Sequence, residues 1–499
     1  MEMEVFSRPD LSGSFKTEFR SADFGDQRLT ERLQKIGSAL GNAPSESIPN
    51  ACEDWASVKG TYRFCDNENV DPKEILSAHG EALRSRLRSP DELLLVSDTT
   101  HLTFPSHPSK KGLGDVGSDE MDLEGAKVHT TIGVFPSTGP STGWMAGILD
   151  QQVLLDDRQE NEIHDPNGRG EPIYLESERE KWIRRDKRAS ARLPEEVRPI
   201  FVHDQGADAF PVHRKIQTEL AGAGFVIRAN QNRCIEAPSG QESHLFDWSK
   251  ELPEKGQTTI RIQQGGDRES REATLSVKSG TCRLLPPKNA PGQRSPVEVN
   301  VVRVEETRRE ENPILWVLLT TEPVGEFEKA LDVIGYYRAR WIIEDWHKAL
   351  KTGCKIEDRQ LETWERMEVP LSICSVVAWK VLQLRELARG DKEMSPERFL
   401  TEAERAVLEQ KHPELGSKGG KAYAVAIGKI GGYLDRSSDP PPGWQTLWKG
   451  LKKVRTWAEG YKLHAETARE GGVLHSRPVL LGRGSESMVD YESSLLSLM

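Results

Sequence analysis

The stretch Y-Y-R-A-R-W-I-I-E-D-W-H-K-A-L-K, Tyr336 to Lys351, holds a carboxylate among several cations. Wound as one α-helix at roughly 100° per residue, it brings Tyr337, Arg340, Lys348 and Lys351 to within about 40° of Glu344. Trp341, Ile342, Asp345 and Trp346 fall on the opposite side. One chemistry for such a stripe is an i,i+4 ion-pair ladder, Arg340–Glu344–Lys348, worth roughly 0.2–0.5 kcal/mol per pair. The other is a metal-binding carboxylate flanked by cations that grip phosphate. Two further acids occur where a sheet would present them. Asp98, in V-S-D-T-T, reads as the end of a buried strand, and Asp204 ends a second strand in F-V-H-D-Q-G-A-D, with Gly206 permitting a tight turn. Either alone could be an Asx-turn or a helix cap. Jointly with Glu344 they are the parts of a phosphoryl-transfer site. Three carboxylates can hold two Mg²⁺ ions ~3.5–4 Å apart, one activating a water or hydroxyl and the other stabilising the leaving oxygen.

These residues need a scaffold, and the chain is long enough to build one. Its 499 residues suffice for about three domains. No apolar run approaches the ~20 residues of a membrane span, and the acidic N-terminus lacks a signal-peptide pattern. A cytoplasmic protein without a membrane partner is expected. Six scattered cysteines with no C-x-x-C pair argue against disulfides and zinc. The net charge of −11 counts against a nucleic-acid binder, although local patches decide binding. The segment Lys181 to Arg192 is one such patch, and its simplest reading is a solvated helix face.

Residues 15–85 read as helices, with apolar Leu29, Leu33, Ile36 and Leu40 at helical spacing. Strands follow at 92–104, 128–135 and 143–155, then a basic helix, a strand at 198–204, a helix and a strand at 224–230. That order implies an α/β fold with a mixed sheet. Residues 235–325 read as a β insertion, and beyond Glu344 the chain turns helical again. The corresponding domains are 1–75, 76–370, 371–470 and a loose tail at 471–499.

The spacing Y-(2)-R-(3)-E-(6)-K at Tyr337, Arg340, Glu344 and Lys351, with D-T-T at Asp98 and D-x-x-A-D at Asp204 and Asp208, resembles the bacterial DDE transposases of the insertion-sequence-four family. The resemblance extends over roughly residues 15–465, including F-G-D-Q-R-L-T-E-R-L and G-G-Y-L-D-R. It implies an RNase H-like catalytic core interrupted by the β insertion, between an N-terminal domain that recognises transposon ends and a helical C-terminal dimerisation region. It further implies two Mg²⁺ ions per site, with Mn²⁺ able to substitute, held by Asp98, Asp204 and Glu344. The implied partners are transposon-end and target DNA, engaged by a homodimer. Trp316 matches a tryptophan that stacks on a base flipped out during hairpin formation. Arg32 and Arg63 match positions near end DNA, and Arg228 and Arg233 match positions close to the hairpin. A nuclease on the same core, or a transposase-derived DNA-binding protein, remain the alternatives. The stripe Trp444, Leu447, Trp448, Leu451 and Val454, extended by Trp457, either packs on its own domain or forms a dimer face.

Overall fold

The computed structural model describes residues 15–470, apart from 88–91, 117–122, 140–142, 156–161, 164–172, 175–177, 221, 263–270, 288–294, 308–312, 390–394, 437–438 and 440. The tail expected at 471–499 lies outside the described residues.

Helices α1–α5 (Phe15–Glu18, Gln27–Asn42, Ile48–Ala51, Trp55–Cys65 and Pro72–Arg84) come first. Their starts follow from local chemistry. Asp26, Asp54 and Asp71 each accept a backbone amide at the N-cap, and Pro72 occupies the first turn of α5. The strands β1 (Glu92–Thr103), β2 (Gly114–Asp115), β3 (Glu124–Phe135) and β4 (Trp144–Leu154) follow. Next come a small pair, β5 (Glu162–Ile163) and β6 (Ile173–Tyr174), then α6 (Glu178–Ser190), β7 (Arg198–His203), α7 (Phe210–Glu219) and β8 (Gly224–Arg228). The run L-L-L-V in β1 is fully buried, as a central strand covered on both faces requires.

The expected β-rich stretch contains β9 (Cys234–Glu236), β10 (Glu242–His244), a short helix α8 (Leu245–Lys250), β11 (Glu254–Ile262), β12 (Arg271–Leu284), β13 (Val297–Glu306) and β14 (Leu315–Thr320). These strands are not a separate layer. One twelve-stranded sheet runs β10-β9-β12-β13-β14-β8-β7-β1-β3-β2, with β4 beside β3 and β11 beside β12. Within it β1, β7 and β8 are parallel neighbours, while β3 and β4 run antiparallel.

The chain closes with α9 (Phe327–Ala339), α10 (Trp341–Lys348), a π-turn at Ala349–Gly353, α11 (Trp364–Arg389), α12 (Glu402–Lys411), α13 (Gly420–Ile430) and α14 (Trp444–Glu470). By length and composition α11 could cross a membrane, but most of it is buried inside the protein with Trp364 and Trp379 in the core. It is the central helix. Both α5 and α11 run without a break through the positions expected to divide domains, 75/76 and 370/371. The N-terminal helices are also fastened to the rest by buried polar contacts. Glu18 accepts from His79 Nδ1 at 2.8 Å and from Arg86, while His79 Nε2 accepts the Ile148 amide of β4 at 3.1 Å. Arg359 Nη2 donates to the carbonyls of Pro44 and Cys354, both at 3.0 Å.

One sequence expectation is corrected here, and one open alternative is narrowed. The basic helix α6 is not a solvated face: Lys181 and Arg185 are buried, and Arg188 and Arg192 pair with the buried Asp150 at 3.0 and 3.2 Å. The stripe on α14 packs inward, with Leu447, Trp448, Leu451 and Val454 buried alongside α12 and α13. Only its end, Trp457, is exposed, followed by Tyr461 and Leu463.

Candidate active site

Register places the two aspartates. The last β1–β7 pair is Val96 opposite Val202, so Asp98 and Asp204 stand two residues farther along adjacent parallel strands, on the same face. This is the carboxyl end of the parallel strands, where open α/β sheets bind ligands. The expectation that Asp98 ends its strand is corrected: β1 continues to Thr103 along β3. It is β7 that stops, leaving Asp98 beside an open edge. Each aspartate commits Oδ1 to a backbone amide, Asp98 to Thr99 and Asp204 to Gly206, both at 2.8 Å. The Asx-turn reading of Asp204 is thus correct for one oxygen, and the turn it caps fixes the carboxylate in place. Burial pushes the Asp98 carboxyl above its usual range; the Thr99 amide and Arg340 oppose that, and the negative charges of Glu344 and Asp204 add to it. The three acids therefore share one electrostatic environment.

The helical side is built differently from the expected single helix. The regular α-helical pattern is interrupted at Arg340, between α9 and α10, where the backbone keeps helical dihedrals and the Arg340 amide donates to the Tyr337 carbonyl at 3.2 Å. After Lys348 the backbone widens, with the Cys354 amide bonding the Ala349 carbonyl at 2.9 Å. A π-turn carries an extra residue per hydrogen-bonded loop and is common at functional sites. Ala349, Leu350, Gly353 and Cys354 are all buried. Lys351, within the π-turn, reaches β1, bonding the His101 carbonyl and lying 3.7 Å from Glu357. Lys348 is exposed on α10. Arg340 Nη2 donates to Glu344 Oε1 at 2.7 Å, so the first rung of the ion-pair ladder is present.

Between the two sides lies a cavity of about 170 Å³, lined by Asp204, Gln205, Arg228, Trp316, Tyr337, Arg340 and Trp341. Four DNA-binding candidates, Arg228, Trp316, Tyr337 and Arg340, thereby meet one of the acids. Trp316 on β14 is half-buried and meets the Tyr337 ring at 5.2 Å and 67°, so it lines the cavity and is not sealed in the core. Burial raises the Tyr337 hydroxyl above its ordinary range, while Arg228 and Arg340 pull it back.

Other candidates lie elsewhere. Arg233, expected near the cut, is tied to Asp208 through Oδ1 at 2.6 Å and the carbonyl at 2.8 Å. Asp208 also accepts from His213 Nε2 and from the amides of Asn230 and Gln231, so the pair braces the loop after β8. Arg63 is exposed on α4, and Arg32 on α2 lies against Gly60, whose added Cβ would come within 2.7 Å of its Nη1. Neither lines the cavity.

The sequence reading missed three residues. Trp341, assigned to the apolar side, is 46% exposed and carries the Arg340 guanidinium 4.6 Å from its ring centroid. Gln205 lines the cavity beside Asp204. His347 is buried, with Nδ1 3.9 Å from Asp98 Oδ2; burial and then the Lys351 charge hold its ring neutral, with the pKa down at about 3. Its position three residues after Glu344, on the same helical face, was the available signal.

Carboxylates at Asp98, Asp204 and Glu344 are donors suited to a hard divalent cation. Among the described residues, however, no group of three or more His, Cys, Asp and Glu side chains closes tightly enough to hold a metal. Glu344 is turned to Arg340.

Comparison with known proteins gives two findings. Residues 13–70 match the family described as Transposase DNA-binding. Among solved structures, a cryo-electron microscopy structure of the piggyBac transposase synaptic complex with hairpin DNA aligns with 93% of this chain and 81% of its own, at 10% identity and a TM-score of 0.35. The segment similar to the DNA-binding family covers α1–α4, ahead of the mixed α/β body.

Proposed function

We propose that the protein is a DDE DNA transposase of the insertion-sequence-four family, which binds transposon ends, cleaves them through a hairpin and joins the 3′ ends to target DNA. The observation that carries this reading is the placement of Asp98 and Asp204 on neighbouring parallel strands within the electrostatic reach of Glu344. The strand order β4-β3-β1-β7-β8 supports an RNase H-like core, and the N-terminal match supports DNA as the substrate.

Asp98, Asp204 and Glu344 would hold two Mg²⁺ ions, with Mn²⁺ able to substitute. Such ions, when bound, supply an activated water or hydroxyl and stabilise the leaving oxygen. The chain's own residues do the rest. Arg228 and Arg340 offer guanidinium donors for phosphate in the cavity, and Lys348 and Lys351 extend the positive charge along the backbone. Trp316 offers a ring face to an unstacked base, which offsets part of the cost of extruding it. Arg32 and Arg63 contact end DNA from the N-terminal helices. The working unit is a homodimer on two ends, and the exposed end of α14 is available for that contact.

The test incubates the protein with DNA carrying the termini of its own element and Mg²⁺, followed by a denaturing gel. Hairpins and joined products are expected. Nicked ends that never join to target would favour a nuclease instead.

A further inference from the structure

The Glu344 carboxylate is engaged, and its partner is poised to leave. Arg340 is 11% exposed against 41% for Glu344, and the Trp341 ring lies against its guanidinium. Its Nε is buried with no hydrogen-bond partner among the described residues. An incompletely satisfied guanidinium therefore sits in the wall of a cavity shared with Asp204 and Arg228. Lys351, farther along, is likewise held on protein groups, the His101 carbonyl and Glu357.

A carboxylate paired with a guanidinium cannot coordinate a divalent cation without bringing two positive centres to within a few ångströms of each other. A phosphate, by contrast, offers a guanidinium a bidentate acceptor at least as good as a half-exposed carboxylate. On the phosphoryl-transfer reading above, we infer that Arg340 is a latch on Glu344: it holds the third carboxylate away from Asp98 and Asp204 until a DNA phosphate in the cavity takes the guanidinium and releases it. This accounts for three acids that share an electrostatic environment without closing into a metal-ready group. DNA completes the site, so the protein is kept from loading a full metal centre before an end is seated. Arg340 acts here as a positioning residue for Glu344, in addition to any phosphate contact.

The test is Mn²⁺ titration of the full-length, DNA-free protein, with the free ion followed by electron paramagnetic resonance. Removing the competing cation in Arg340→Met should tighten Mn²⁺ binding by about five-fold, the scale of a partly exposed ion pair. Arg340→Gln should do the same, and adding Glu344→Gln to either should cancel the gain. Arg340 variants that keep the wild-type unfolding transition but bind Mn²⁺ no more tightly overturn the latch. Asp98→Asn and Asp204→Asn separate the two possible failures. If they weaken Mn²⁺ binding while the Arg340 variants do not strengthen it, only the latch is wrong. If they leave it unchanged, the phosphoryl-transfer reading of the site falls and the latch falls with it.

Discussion

The sheet side and the helix side of the candidate site are held by different means. Asp98 and Asp204 are fixed by strand register and by backbone amides one and two residues away. Arg340, Glu344 and Lys351 are held by side chains that pair with one another or with nearby acceptors, and Glu344 is substantially exposed. Backbone-anchored groups keep their positions at little further entropic cost, whereas exposed ion pairs are individually weak and exchange readily. The sheet thus supplies a fixed reference, and the helix supplies groups that can re-pair when a polyanion arrives.

The comparison is most severely tested by chemistry. Asp98→Asn, Asp204→Asn and Glu344→Gln should each reduce Mg²⁺-dependent nicking by at least about 10³-fold, while gel-shift binding of end DNA survives. Substantial nicking by Glu344→Gln alone would detach the helix from the reaction and leave only the sheet.

Next in size is the brace behind the sheet. Burial raises the Asp208 carboxyl, but the His213 hydrogen bond, the Arg233 charge and the Asn230 amide outweigh it and hold the pKa at about 2. Asp208→Ala leaves a buried cation unpaired and should cost about 3–5 kcal/mol in urea unfolding, whereas Lys348→Ala, on the exposed helix face, should stay within about 0.5 kcal/mol of wild type. Because the folded pKa lies below the unfolded value of about 3.9, this stabilisation is complete above that pH and is lost as pH falls towards 2. Asp208→Asn should remove that segment of the acid-unfolding curve. Equal acid sensitivity of the variant and wild type would show that Asp208 is not a fixed point of the sheet side.

Smaller effects probe the cavity between the two sides. Trp316→Ala is expected to nick normally but to accumulate about ten-fold less hairpin, from the loss of one base-stacking surface. Normal hairpin yield would reduce Trp316 to a partner of Tyr337. The smallest expected change is in salt dependence: Arg340→Met or Lys351→Met should each lower the log–log slope of end binding by about one unit. An unchanged slope would mean that these cations serve only the protein contacts seen here.

What could be read from the sequence divides along the same line. The order of strands and helices around Asp98 and Asp204 followed from apolar runs and turn residues, because strand periodicity is local and the covered strands are almost uniformly apolar. The helical stripe was read with one fixed period, and the backbone departs from that period in the π-turn at Ala349–Gly353. Nothing in A-L-K-T-G marks a π-turn, and the surroundings of that segment come from distant residues such as Cys374, whose carbonyl accepts from the Cys354 thiol. For the same reason the basic character of α6 misled: the acid that neutralises Arg188 and Arg192 is Asp150, on β4. Trp341 was misplaced on the wheel itself: three residues before Glu344, it lies about 60° from it and belongs beside the stripe, where it is exposed.

The continuity of the sheet has a consequence for how the chain assembles. Arg228 of β8 pairs with Leu318 of β14, and everything from β9 to β13 lies between them in the chain. During synthesis β8 can join β7 as soon as both have emerged, yet its other edge stays bare until the ribosome has delivered about ninety further residues. A bare, apolar strand edge is a template for pairing with another chain, and closing so long a loop is slow compared with local folding. The cavity wall carrying Trp316 is therefore among the last parts of the sheet to form. Nascent chains halted between β8 and β14 should be the aggregation-prone species of this protein.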